Sequence, residues 1–179
     1  GLREGEYPLY GPTHFRVWLV GKSMTLSPMV NLAGSAYAAP YLRLAGARIG
    51  PGCHIGSELI ALPGMVELEE NATVGYATHL QGYEIAAGRL VIGRVRLGHT
   101  ATVAANCVLV GPCSIGDGAV LREQSSLLPG QRVPPYEVWG GSPVRARPQA
   151  EEPILKIMAE CDHAPRELSL IDISATTRP

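Results

Sequence analysis

From Val91 to Val133 an aliphatic side chain returns every six residues: Val91, Leu97, Val103, Leu109, Ile115, Leu121, Leu127, Val133. All eight are Val, Leu or Ile, types that supply 44 of the 179 residues, so eight successive chance hits are on the order of one in 10⁵ per starting frame. A second register runs four places later through Val95, Ala101, Cys107, Cys113, Ala119 and Ser125, all small or at most Val-sized. Glycine often follows the aliphatic position, as in Leu97-Gly98 and Ile115-Gly116, and an upstream block begins the same pattern at Ile49-Gly50, Ile55-Gly56, Leu68 and Val74-Gly75. A helix would need a period near 3.6 and a flat half-buried strand a period of two. A period of six fits a short strand followed by a turn of roughly 120°, three of which make one coil of a triangular column. The aliphatic residue fills the interior, and the small residue points inward near a corner, where space is short. Successive coils pair through parallel ladders about 4.8 Å apart. The expected fold is an all-β, left-handed parallel β-helix of about four to five coils.

The rest of the chain divides around that repeat. Residues 1–48 fall outside the hexads and are expected to form two short helices, broken near Pro28 and Pro40, that plug the first coil and cover its open sheet edge. Residues 49–147 carry the β-helix, less regular at "ELIALPGMVELEEN" and interrupted by a loop at 81–90, "QGYEIAAGRL". The Pro-Pro and Gly-Gly-Ser-Pro steps in "VPPYEVWGGSPVRAR" end the repeat. Residues 148–179 are expected to hold one amphipathic helix over 151–163 and an extended tail. The chain starts Gly1-Leu2 without a methionine, as an excised piece of something longer would.

Charge and cysteine usage narrow the function classes. The net charge is -1 and Lys and Arg form no long run, which argues against nucleic-acid binding by phosphate neutralisation. Cys53, Cys107, Cys113 and Cys161 include no CxxC pair, and read as buried reduced thiols in a cytoplasmic protein. The uncharged stretch from Ser23 to Leu42 is long enough for a membrane span, but it contains Pro28, Asn31, Gly34 and Pro40. A buried cap is the better reading, with peripheral membrane contact through this N-terminal segment as its alternative.

Hexads closed by "VWGGSPVRAR" resemble the hexapeptide-repeat acyltransferases over about Ile49 to Arg147. Together, "YLRLAGARIG", "YATHL" and "VWGGSPVRAR" are similar to one subgroup, the β-helical segments of poly-ε-lysine-synthetase-type non-ribosomal peptide synthetases. That resemblance implies a domain of a large, membrane-associated synthetase working near a carrier protein. It also implies a histidine general base just before an interrupting loop, a position held here by His79 in "GYATHLQGY". Thr78 is the small inward residue four after Val74, so His79 should lie at a corner and face outward. An unperturbed imidazole suits proton removal near neutral pH. Tyr76, Gln81, Tyr83 and Glu84 are near enough in sequence to orient it; Glu84 reads either as a carboxylate partner or as a solvated loop charge. Backbone N–H groups such as that of Gly98 would stabilise the oxyanion. The resemblance also implies an acyl-CoA or carrier-protein phosphopantetheine thioester lying along the outside of the coils. Gly98, Ala105, Gly111, Arg122, Trp139 and Arg145 are candidates to line that path, the arginines for phosphate. A homotrimer with clefts between subunits is expected, or packing on a sister β-helical repeat.

Two other readings compete. "RLGHTATVAANC" resembles the Gly-His stretch of γ-type carbonic anhydrases, with His99 and His79 as two zinc ligands. The third ligand would fall on Ala104, so the set is incomplete and no metal is expected. The domain could also be a non-catalytic scaffold that docks carrier or condensation domains, since the 81–90 interruption is short for a substrate-covering arm. His14, His54 and His163 lie outside the repeat logic.

Overall fold

The computed structural model describes residues 2–146. The expected helix at 151–163, the tail beyond it, Cys161 and His163 lie outside the described residues.

The hexads build a three-sided column of parallel strands. The first face stacks Arg48–Ile49, Val66–Leu68, Val95–Leu97, Cys113–Ile115 and Arg132–Val133. The second stacks His54–Ile55, Thr73–Val74, Thr102–Val103, Val120–Leu121 and Val138–Gly140, with Arg145–Ala146 added antiparallel at the end. The third stacks His79–Gln81, Val108–Val110 and Ser126–Leu127, and Ile60 bridges to Leu80 beneath them. The column therefore rises through five levels on its first face.

The aliphatic register is the interior. Leu97 aligns with Ile115 and Ile115 with Val133; Val103 aligns with Leu121, and Leu109 with Leu127. All seven are at most 2% exposed. The small register is buried beside them: Val95, Ala101, Cys107, Cys113, Ala119 and Ser125 are all buried. The corners share one backbone device. Three residues after the aliphatic position the backbone is left-handed, at Gly52, Asn71, Ala77, Thr100, Asn106, Gly118, Gln124, Gly130 and Tyr136. These corners stack through backbone bonds. On one edge Tyr136 N–H donates to the Asp117 carbonyl, Gly118 N–H to that of His99, and Thr100 N–H to that of Glu70.

Val91 is the one member of the hexad series outside the column. The expected loop at 81–90 is a β-hairpin instead: Tyr83–Ala86 pairs antiparallel with Arg89–Ile92, and Gly5–Pro8 joins as a third strand. Ala87 and Gly88 turn it with positive φ at both positions, the signature of a two-residue hairpin loop. Strand alternation puts Leu90 and Ile92 on one face, where they are buried with Val17, Leu62 and Met65, and leaves Val91 on the other. Gly93 N–H donates to the Gly82 carbonyl and closes the excursion at its base.

The N-terminal segment forms three helices, α1 (Pro12–Thr25), α2 (Met29–Leu32) and α3 (Ala38–Leu44), rather than two. The break at Pro28 is where the sequence puts it. Pro40 breaks nothing, because it sits in the first turn of α3, where a backbone N–H has no intrahelical partner. Met29, Ala38 and Leu42 are buried in the same core as Ile49 and Ile55. Arg43 donates from Nε to the Ile49 carbonyl and from Nη2 to that of Gly50, at 2.8 Å each. Among the described residues, no helix is long and apolar enough to cross a membrane.

Candidate active site

Val74 fills the interior, the chain turns at Gly75–Thr78, and the third face begins at His79. Thr78 is fully buried at the corner; its hydroxyl donates to the Ala104 carbonyl at 2.8 Å and accepts from the Cys107 N–H. With Thr78 and Leu80 both committed to the inside, the alternation of the strand sends His79 outward. Its backbone N–H donates to the Cys107 carbonyl at 2.8 Å, so the ladder fixes its position.

The side chain meets a cavity of about 550 Å³ between α1, α2 and the Glu58–Ala61 segment of the first coil. Trp18, Lys22, Glu58, Ile60, His79 and Tyr83 are among its lining residues. Partial burial pushes the imidazole below its ordinary value near 6.5, so it is neutral at pH 7. A neutral, half-buried imidazole facing a cavity can accept a proton from an amine or hydroxyl bound there.

Thiol chemistry is disfavoured by the same physics. Burial pushes Cys113 up to about 12 and raises Cys53 and Cys107 as well. These thiols stay protonated, and Cys107 Sγ donates to the Arg122 carbonyl at 3.0 Å.

The other residues singled out from the sequence are spread over three corners. Glu84 pairs across the hairpin with Val91 and does not line the cavity, although its neighbour Tyr83 does. Among the described residues no hydrogen bond or ion pair joins Glu84 to His79. Gly98 lies on the corner between the first and second faces. Its N–H donates to the Ile115 carbonyl at 2.9 Å, so this group is not available to an oxyanion. A Cβ there would come within 2.8 Å of the Asp117 nitrogen; Gly98 is needed where two coils touch. Gly111 lies on the corner between the third and first faces, pressed against Gly93, and its N–H donates to the Gln81 carbonyl at 2.8 Å. Ala105 and Arg122 do share the corner that leads to His79, one coil and two coils further along. Trp139 and Arg145 follow on the last level, where Trp139 pairs with Ala146 and Gly140 with Arg145. Trp139 extends the six-residue register from Val133, packs on the end of the core, and donates from Nε1 to Glu137 at 2.7 Å.

His99 is exposed on the first corner and His79 stands beyond the second, so one column does not bring the two together. Among the described residues, no three His, Cys, Asp or Glu side chains are grouped to hold a metal ion. Sequence reasoning missed Trp18, Lys22 and Glu58. Trp18 and Lys22 lie on α1 and Glu58 in the first coil; the docking of α1 brings them together, and nothing in the local pattern marks them.

No family model matches the chain. Over 145 residues it is 31% identical to the Delta-poly-L-ornithine synthetase of Acinetobacter baumannii (strain AB307-0294), a match that covers 81% of this chain and 11% of that protein. The structure superposes on a hexapeptide-repeat containing acetyltransferase from Vibrio cholerae O1 biovar eltor complexed with acetyl coenzyme A. The TM-score is 0.57 at 11% identity, covering 80% of this chain and 92% of that one. It superposes also on a galactoside acetyltransferase in complex with coenzyme A, with a TM-score of 0.54 at 16% identity, covering 81% and 86%. The chain has the hexapeptide-repeat fold of these acetyltransferases, and its sequence is similar to one segment of a poly-ornithine synthetase.

Proposed function

We propose that this domain transfers an acyl or aminoacyl group from a thioester to an amine or hydroxyl, with His79 as general base. The observation that carries the reading is a neutral, half-buried imidazole at the mouth of a 550 Å³ cavity. The reading takes the column as the left-handed β-helix that the hexads predict. The acceptor lies in the cavity, and His79 removes a proton as its nitrogen or oxygen attacks the thioester carbonyl. The tetrahedral intermediate collapses by breaking the C–S bond. The imidazolium returns the proton to the departing sulfur, leaving an amide or ester and a free thiol.

The donor is acyl-CoA or a carrier-protein phosphopantetheine thioester. The structural neighbours with acetyl coenzyme A and coenzyme A bound support the thioester class. The similarity to a poly-ornithine synthetase supports a place within a peptide-synthesising assembly. We place the pantetheine arm along the corner that Ala105 and Arg122 share, ending at the last strands of the second face, which carry Trp139 and Arg145. Gly98 and Gly111 are not part of that path, because both are packed between coils.

The test is thioester consumption with purified protein, comparing wild type with His79→Ala at equal folded content. General-base removal should cost about 10²–10⁴ in turnover. Equal turnover in the two proteins would remove His79 from the chemistry. No turnover in either, with the fold intact, would favour the scaffold reading.

A further inference from the structure

We propose that the first face of the column carries a binding site for a soluble diphosphate-class anion, centred on Arg96, Ser114 and Arg132. The strand register aligns Arg48, Glu67, Arg96, Ser114 and Arg132 one above another, and each lies next to an inward-facing core residue. They form a single outward row with a spacing of about 4.8 Å per level.

The lower part of the row is balanced by ion pairs. Glu67 meets Arg48 at 3.7 Å, Arg94 at 3.2 Å and Arg96 at 3.4 Å, and Glu4 meets Arg94 at 2.8 Å. Two carboxylates facing three guanidiniums leave one positive charge over. The alternation of charge then stops. Ser114 is neutral, and Arg132 above it makes no ion pair or side-chain hydrogen bond among the described residues. At that level a concavity of about 320 Å³ opens, lined by Arg94, Arg96, Ser114, Gln131 and Arg132, with Glu4, the partner of Arg94, also on its wall.

Two guanidiniums therefore stand two levels apart, roughly 10 Å at the backbone, with a hydroxyl between them. Guanidinium forks match phosphate oxygens in pairs. A lone carboxylate would satisfy one fork, whereas an anion with charge on two linked phosphates reaches both and takes the Ser114 hydroxyl between. The face lies across the column from the corner that leads to His79, so the proposed acyl transfer does not use it. Its concavity favours a free anion over the flat array of phosphates on a membrane.

The experiment is calorimetric titration of the full chain with inorganic pyrophosphate, with anionic phosphatidylglycerol vesicles as a separate arm. Arg132→Gln should weaken pyrophosphate binding at least tenfold. Arg48→Gln, outside the concavity, and His79→Ala should bind as wild type does. Arg132 is exposed and makes no ion pair among the described residues, so its loss leaves the ion-pair network described above intact; Ser114→Ala gives a second reading with a smaller loss. Equal binding by wild type and Arg132→Gln, no pyrophosphate binding at all, or binding to vesicles alone would each overturn the proposal.

Discussion

His79 has two pH signatures that run in the same direction. Its folded-state value lies below the 6.5 it would have in the unfolded chain, because burial disfavours the imidazolium. As a base it must be neutral, so kcat/KM should climb with pH through a midpoint below 6.5 and then level off, a profile that pH–rate measurements on wild type would reveal. For stability the sign is the same. The unfolded chain binds the proton more readily, so the contribution is present in full above pH 6.5 and is lost as pH falls through the folded-state value. Thermal melts of wild type and His79→Gln should therefore diverge on acidification, with wild type losing more. Thr100 makes a second residue-scale case. It holds φ 54 at a corner where the next coil has Gly118 at φ 61. A β-branched residue is strained there, and Thr100→Gly should stabilise by on the order of 1 kcal/mol, read from denaturant midpoints.

At the scale of elements, the column and the hairpin are separate packing units. Leu109 is fully buried in the middle of the column with Leu80 and Leu127 stacked on either side. Leu109→Ala should cost about 2–5 kcal/mol in global unfolding. Leu90 belongs to the smaller cluster that joins the hairpin to α1. Leu90→Ala should speed hydrogen exchange over 83–92 and α1 before the column strands respond. The two elements also differ in how far they are legible. The column repeats one rule, so an error at one hexad is outvoted by its neighbours. The hairpin occurs once, and its Val91 falls by chance into the hexad frame. Only the burial of Leu90 and Ile92 on α1 shows that the local period there is two.

For the whole molecule, the cavity at His79 is rimmed by exposed apolar side chains: Trp18 is 52% exposed, Val30 66% and Leu59 41%. Phe15 stacks on Trp18 at 5.8 Å on the same helix. Such a rim fits the homotrimer or sister-repeat packing proposed from the resemblance, with membrane contact by the N-terminal segment as its competitor. Sedimentation should give a trimer of the 19.0 kDa chain. Trp18→Glu should shift it toward monomer, and a wild-type monomer would count against a cleft shared between subunits.

The residues alone spell out the column: its period, its interior residues, the small residues at its corners and the outward place of His79. Those features depend on contacts that recur every 18 residues along one chain, and a recurring contact leaves a recurring residue. What surrounds His79, which glycines are packed too tightly to meet a ligand, and which arginines stand together follow instead from how distant elements dock. Trp18, Glu58 and His79 meet because α1 docks on the hairpin through Val17, Leu90 and Ile92, a single contact with no period to betray it.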